Sequence, residues 1–207
     1  MESNKGVTLI ELLIVIVIIG IISAFAIPAV GNLREKAEIA AIKAELETIA
    51  NAAYGYTIDV GEPPFGTVSG TGTCALWNQD SKNLFIIGER SGTPIDKWKG
   101  PYIEHWKDET PYGGCYVYRN YRVGAQSWAR SNWYRYSDDT KIGDVADPLY
   151  DIEIIMIRFY PLTDSESIDK SREVADYLMK ELGEDSVYYV KNSAVIGYYI
   201  PTNEDLK

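Results

Sequence analysis

One long apolar stretch near the start limits what this chain can become. After Gly6-Val7-Thr8-Leu9-Ile10-Glu11 the sequence is apolar from Leu12 to Val30, broken only by Gly20, Ser23 and Pro28. At about 1.5 Å rise per residue, a helix from Leu9 to Val30 is roughly 30 Å long, the thickness of a bilayer's hydrocarbon layer, so it can span a membrane. A secretory signal peptide sets a basic region before a shorter apolar core and a small-residue cut site after it. Here the polar leader is short and the run is long, so the segment reads as retained. Glu11 is the costly residue, because a carboxylate in an apolar helix costs a few kcal/mol at full membrane depth unless it finds a partner or the interface. No Lys or Arg lies between Lys5 and Arg34. The nearest positive charge would therefore be a new amino terminus made by cutting after Gly6, supplied by a neighbouring copy. A plain single-span anchor with Glu11 at the interface is the alternative. Pro28 lacks an N–H and clashes with the carbonyl of Ala24, which predicts a kink or a loosened turn.

The order Lys5-Gly6-Val7-Thr8-Leu9-Ile10-Glu11-Leu12-Leu13, followed by Gly20 and Pro28, resembles the N-terminal signature of type IV pilins and type II secretion pseudopilins. The resemblance implies a leader, Met1 to Gly6, removed by a prepilin peptidase, with Val7 becoming the N-methylated first residue. Val7 stands where the family usually has Phe. Glu11 then falls on the family's glutamate and would pair with the Val7 amine of an adjacent subunit. In filaments of this family the helix is often unwound between the positions matching Gly20 and Pro28.

The remaining chain is large enough for one ordinary core with an appended module: 207 residues, 46% hydrophobic. A formal net charge of -10 and a pI near 4.7 oppose binding to nucleic acid and to anionic membrane surfaces. Cys74 and Cys115 are the only cysteines. In an exported domain they read as a disulfide worth roughly 4 kcal/mol, and otherwise as two buried thiols.

From Asn32 to Tyr54, Ile39, Ile42, Leu46, Ile49 and Ala53 recur at three- and four-residue steps, which predicts an amphipathic helix continuing the apolar one and ending at Gly55. A loop-rich connection follows, with Asn83–Gly88 as a short strand or buried turn. The segments Trp98-Lys99-Gly100-Pro101-Tyr102-Ile103 and Thr110-Pro111-Tyr112-Gly113-Gly114-Cys115 are similar to a paired pseudopilin motif, with Tyr112 in place of the usual Trp. Alternation predicts a strand from Cys115 to Val123 and a second in the aromatic stretch ending at Tyr136. Asp151–Tyr160 reads as a strand, and Thr163 with Glu166 as a capping box for a helix carrying Ile168, Ala175, Leu178 and Leu182 before Gly183. A closing strand, or a hairpin about Asn192 and Ser193, completes a β-α-β unit. The fold class is α+β: a leader (1–6), a long N-terminal helix (7–55) whose first half is transmembrane, a pilin-like globular domain (56–147) with an antiparallel sheet, and a C-terminal β-α-β extension (148–207).

Three chemistries can be weighed. Asp138, Asp139, Asp144 and Asp147 crowd one loop and could hold calcium, and the resemblance puts the calcium loop of major pseudopilins near this place, although the EF-hand spacing fails at Ile142 and Leu149. A solvated acidic loop is the alternative. An enzyme would have to use His105, the only histidine, with Cys115 or Cys74 as nucleophile and Glu104 or Asp108 as orienter, with no Cys-x-x-Cys pair or phosphate loop to support it. Tyr116, Tyr118, Tyr121, Trp128, Trp133, Tyr134 and Tyr136 interleave with Arg119, Arg122, Arg130 and Arg135, the composition of a stacking surface or of a core and subunit interface.

The sequence therefore reads as a non-enzymatic structural subunit of a type IV pilus-like extracellular filament. It is stored in the inner membrane as a single-pass precursor and polymerised with itself through its N-terminal helix. The resemblance implies a prepilin peptidase, an assembly ATPase and a platform protein as partners, no cofactor beyond the calcium option, and no nucleic acid. A major pseudopilin of type II secretion is the alternative, as is a minor pilin acting in adhesion or DNA uptake.

Overall fold

The computed structural model describes residues 6–64, 83–90, 92–120, 133–141 and 153–200, without the side chains of 25–30, 32, 84, 90, 119, 120 and 153. Helix α1 runs Leu9–Val60. It starts where Thr8, in extended backbone, caps the first turn, and it stops at Gly61, whose φ of 87° lets its N–H turn back to the Thr57 carbonyl at 2.9 Å. The end read from the sequence at Gly55 is corrected: the helix passes through Gly55, and Tyr56 beyond it is fully buried. Burying that ring outweighs the roughly 1 kcal/mol that a mid-helix glycine costs. The missing side chain also has a use, since a Cβ at Gly55 would sit 3.2 Å from the Tyr102 ring.

The periodic residues Ile39, Ile42, Leu46, Ile49 and Ala53 are all buried, as their spacing requires. By contrast, every large apolar side chain from Leu9 to Ile22 is at least half exposed. Among the described residues no helix is long and apolar enough to cross a membrane. The described side chains of the apolar run stop at Ala24, short of the span read to Val30.

A π-helical turn, Asn83–Ile87, buries Phe85 and leads into a small hairpin of β1 (Glu89–Arg90) and β2 (Thr93–Pro94). Among the described residues the main sheet has five antiparallel strands in the order β3 (Cys115–Asn120), β5 (Glu153–Arg158), β7 (Val195–Ile200), β6 (Val187–Val190), β4 (Trp133–Arg135). Helix α2 (Ser165–Leu182) connects β5 to β6. Those two strands run parallel with β7 between them, because each pairs antiparallel with it. The β-α-β unit is present, and its last strand folds back as the hairpin about Asn192, which adopts a φ of 56°. This unit is no appendage, however: its strands sit between β3 and β4, so regions 56–147 and 148–207 share one sheet.

The α2 cap differs from the sequence reading. Asp164, rather than Thr163, caps the helix, its carboxylate accepting from Ser167 N at 3.2 Å. One sheet face carries Tyr116, Tyr118, Ile155, Ile157, Val187 and Ile196 against α1 and α2. The alternate side chains Cys115, Val117, Ile154, Met156, Tyr188 and Val195 are buried on the other face with Trp133. Burial on both faces explains why Ile154–Ile157 is apolar without alternation.

Candidate assembly site

The first turn of α1 closes a capping box that the sequence reading passed over, though Thr-x-x-Glu is its signature. Glu11 N donates to Thr8 Oγ1 at 3.3 Å, while Thr8 N and Thr8 Oγ1 donate to Glu11 Oε2 at 2.8 and 2.7 Å. One oxygen of the carboxylate, Oε2, is thus held within its own chain. Gly6 and Val7 are exposed ahead of it. Around it lies a helix that is apolar on every side and exposed on every side, which in a water-soluble element would be an aggregation surface. The helix is unbroken through Gly20 and Pro28, so the loosening read at Pro28 does not interrupt it in the single subunit. A Cβ at Gly20 would meet nothing within 4 Å.

Among the described residues, polar contacts along the second half of this rod fasten the globular part to it, Lys43 with Glu181 of α2 at 3.7 Å among them. At the upper end, Asp59 binds Lys99 and Tyr102. Midway, Glu45, almost buried on the sheet side, pairs with Lys107 at 2.5 Å. At the lower end the Tyr112 hydroxyl lies 2.6 Å from Glu35 Oε1 on α1 and 2.5 Å from Glu173 Oε2 on α2. Burial, with those two carboxylates beside it, pushes the Tyr112 hydroxyl well above the usual phenol range. The Trp98-Lys99-Gly100-Pro101-Tyr102 segment noticed in the sequence is the upper fastener. The Trp98 ring fits between Gly88 and Gly100, where a Cβ would come within 2.5 Å of it.

The other candidate residues are dispersed. Asp138 accepts from Thr140 N at 3.0 Å and pairs with Arg135 at 3.3 Å. Asp139 is held by Lys191 at 2.8 Å and by the Tyr189 hydroxyl. The Thr140 amide above all keeps the Asp138 carboxyl below the ordinary range, as Lys191 does for Asp139. Asp144 and Asp147 lie outside the described residues, and among the described residues no group of three or more His, Cys, Asp or Glu could hold a metal. His105 is exposed, facing Glu104 at 3.9 Å, whereas Cys115 is fully buried and offers no surface to a substrate. Cys74 lies outside the described residues, and no described cysteine is free.

Of the aromatic residues, Tyr116, Tyr118 and Trp133 are core. One face of the Tyr134 ring is taken by Lys191 Nζ at 4.4 Å, and Arg172 lies 5.8 Å from the Tyr136 ring centre and 4.1 Å from that of Tyr189. These faces are occupied by cations of the same chain. Tyr121, Arg122, Trp128 and Arg130 lie outside the described residues, as does the Arg119 side chain.

An exposed apolar rod capped by a threonine–glutamate pair, with its second half packed on an antiparallel sheet, defines a prepilin-type subunit. Residues 1–27 match the family described as Prokaryotic N-terminal methylation motif, and residues 34–126 match PilW, C-terminal. The chain is similar to Type II secretion system core protein G of Pseudomonas aeruginosa, 32% identical over 104 residues that cover 49% of this chain and 72% of that protein. It belongs to the type IV pilin and type II secretion pseudopilin family. No solved structure matches it.

Proposed function

We propose that the mature chain is the repeating subunit of a helical filament whose centre is a bundle of α1 helices. The observation that carries this reading is the exposure of every large apolar side chain from Leu9 to Ile22. A membrane before assembly, and other copies after it, are the two surroundings that remove this surface from water. A prepilin peptidase cuts between Gly6 and Val7, Val7 is N-methylated, and the Val7 amine of one copy pairs with Glu11 of the next. An assembly ATPase and a platform protein lift the subunit from the inner membrane, and Gly20 and Pro28 give the helix room to adjust. The subunit's work is assembly, without catalysis. Shearing filaments and sequencing their main protein tests this: the expected chain begins at Val7, and filaments disappear with Glu11→Gln. A chain beginning at Met1, or unchanged filament yield with Glu11→Gln, overturns it.

The short pseudopilus of type II secretion is the second reading, and the similarity to a type II secretion core protein favours it. The features that lean toward an exposed pilus are the C-terminal β-α-β unit and the aromatic stretch, and both lose weight once that unit is part of the main sheet and the described rings are core or covered by Arg172 and Lys191. Recovery of filaments only alongside the secretion machinery decides for the pseudopilus.

Two subsidiary assignments accompany this. Cys74 and Cys115 form a disulfide, and thiol titration under denaturing conditions, before and after reduction, checks it. A calcium ion held by Asp138, Asp139, Asp144 and Asp147 would have to displace Arg135 and Lys191, so calcium should change the melting temperature only slightly; a shift that vanishes with Asp144→Asn would establish the ion.

A further inference from the structure

We infer that Thr8 is a positioning residue for the assembly contact, presenting one oxygen of Glu11 to the amine of the incoming copy. This rests on the pairing of Glu11 with Val7 proposed above.

Both Thr8 donors, the backbone N–H and the hydroxyl, converge on the same carboxylate oxygen, Oε2, at 2.8 and 2.7 Å. Among the described residues none bonds Oε1. The carboxylate is therefore split in function: one oxygen is anchored to its own helix cap and the other can accept from outside. A free glutamate side chain loses rotamer freedom when it is ordered. In the capping box that ordering is already done before a partner arrives, and hydrogen bonds to a charged acceptor make the hold firm. Thr8 also keeps the charge folded against the first turn, where the amide dipoles of the helix favour a negative group. The hydroxyl plays two parts here, accepting from Glu11 N at 3.3 Å and donating to Glu11 Oε2. Those parts can be separated by substitution. Valine keeps the shape and loses both. Aspartate keeps the acceptor that caps the helix but cannot donate, and it repels the glutamate. Serine keeps both.

The test uses the full chain expressed with its processing and assembly machinery, comparing Thr8→Val, Thr8→Asp, Thr8→Ser and Glu11→Gln. Filament yield after shearing is divided by the amount of chain that begins at Val7, so that any effect on cleavage is removed. Thr8→Val and Thr8→Asp should each lower this ratio about tenfold, the effect of losing one charge-assisted hydrogen bond. Thr8→Ser should restore it to within about twofold of the parent. A parental ratio for Thr8→Val overturns the inference. A parental ratio for Thr8→Asp reduces Thr8 to a helix cap and overturns it equally. If Glu11→Gln abolishes filaments while Thr8→Val does not, the positioning role fails and the pairing stands; if Glu11→Gln assembles normally, the pairing itself fails.

Discussion

Lys99 Nζ lies 3.0 Å from Asp59 Oδ1, joining the last turn of α1 to a segment that is otherwise a loop. Tyr102 completes the contact, donating its hydroxyl to Asp59 Oδ2 at 3.0 Å and accepting from Lys99 N at 3.1 Å. The hydrogen bond from Lys99, above the weaker one from Tyr102, holds the Asp59 carboxyl below its ordinary range, and Lys99 is raised in return. A depressed folded-state value means the contact stabilises the fold fully above the unfolded carboxyl's value of about 3.9, and that this stabilisation is lost as pH falls through the folded value. Melting of the detergent-solubilised chain between about pH 2 and pH 7 should show Asp59→Asn closing its gap to the parent at the acid end. A gap that stays constant across that range would mean that the charge is irrelevant.

The Trp98 ring makes Gly88 hard to replace. Its φ of 78° is a left-handed conformation, and a Cβ there would stand 2.5 Å from Trp98 Cδ2. Backbone strain of about 1–2 kcal/mol and overpacking of about 1–3 kcal/mol both oppose Gly88→Ala. Denaturant unfolding should show a loss of about 2 kcal/mol or more, relieved in part by shortening Trp98 to Leu in the same chain.

Several tyrosine hydroxyls predict an alkaline limit to stability. Burial raises Tyr116, with Glu45 adding to it, and raises Tyr198, with Glu47 adding to it. Tyr136 is pushed up to about 12 by burial and by its bond to Asp176. Each hydroxyl stays neutral in the folded chain at a pH where the unfolded chain has ionised. Their contribution is therefore complete below the unfolded value of about 10 and is lost as pH rises toward the folded values. Melting temperature should fall steeply above about pH 10, in step with phenolate absorbance, and Tyr136→Phe should soften the fall.

How legible these features were in the sequence depended on how local they are. The helix face from Ile39 to Ala53 repeats at a fixed spacing, so it was readable, whereas Asn192 and Ser193 left a single strand and a hairpin equally open until the φ of 56° at Asn192 placed the turn. Sheet order was not readable, because β4 pairs with β6 across more than fifty residues and no local pattern records that choice. Asp138 and Asp139 stood out as an acidic run, yet the Lys191 that neutralises Asp139 is 52 residues away. Gly55 and the Thr163–Asp164 pair misled for a different reason. Glycine ends helices and threonine caps them on average, while Tyr56 and Asp164 decided these two sites through burial and a side-chain bond. Of the proposed assembly site, Gly6, Val7 and Glu11 were named from residue order alone, whereas the bonding of both Thr8 donors to one Glu11 oxygen depends on side-chain geometry that residue order does not record.

Glu45 and Lys107 should respond unequally to mutation, although they form one ion pair. The glutamate side chain is 10% exposed and the lysine 64% exposed. Removing the lysine leaves a carboxylate that water can barely reach, so Lys107→Met should cost about 1–3 kcal/mol. Removing the glutamate frees an ammonium that is already mostly solvated and puts an apolar side chain at an almost buried position, so Glu45→Leu should be close to neutral. Once the acid is gone the lysine has nothing to compensate, and the double variant should match Glu45→Leu alone. Chemical unfolding of the four chains gives the answer as a coupling energy. Equal losses from the two single changes would mean that Glu45 is as well hydrated as Lys107, and that the pair is an ordinary surface contact rather than a neutralised charge under the sheet.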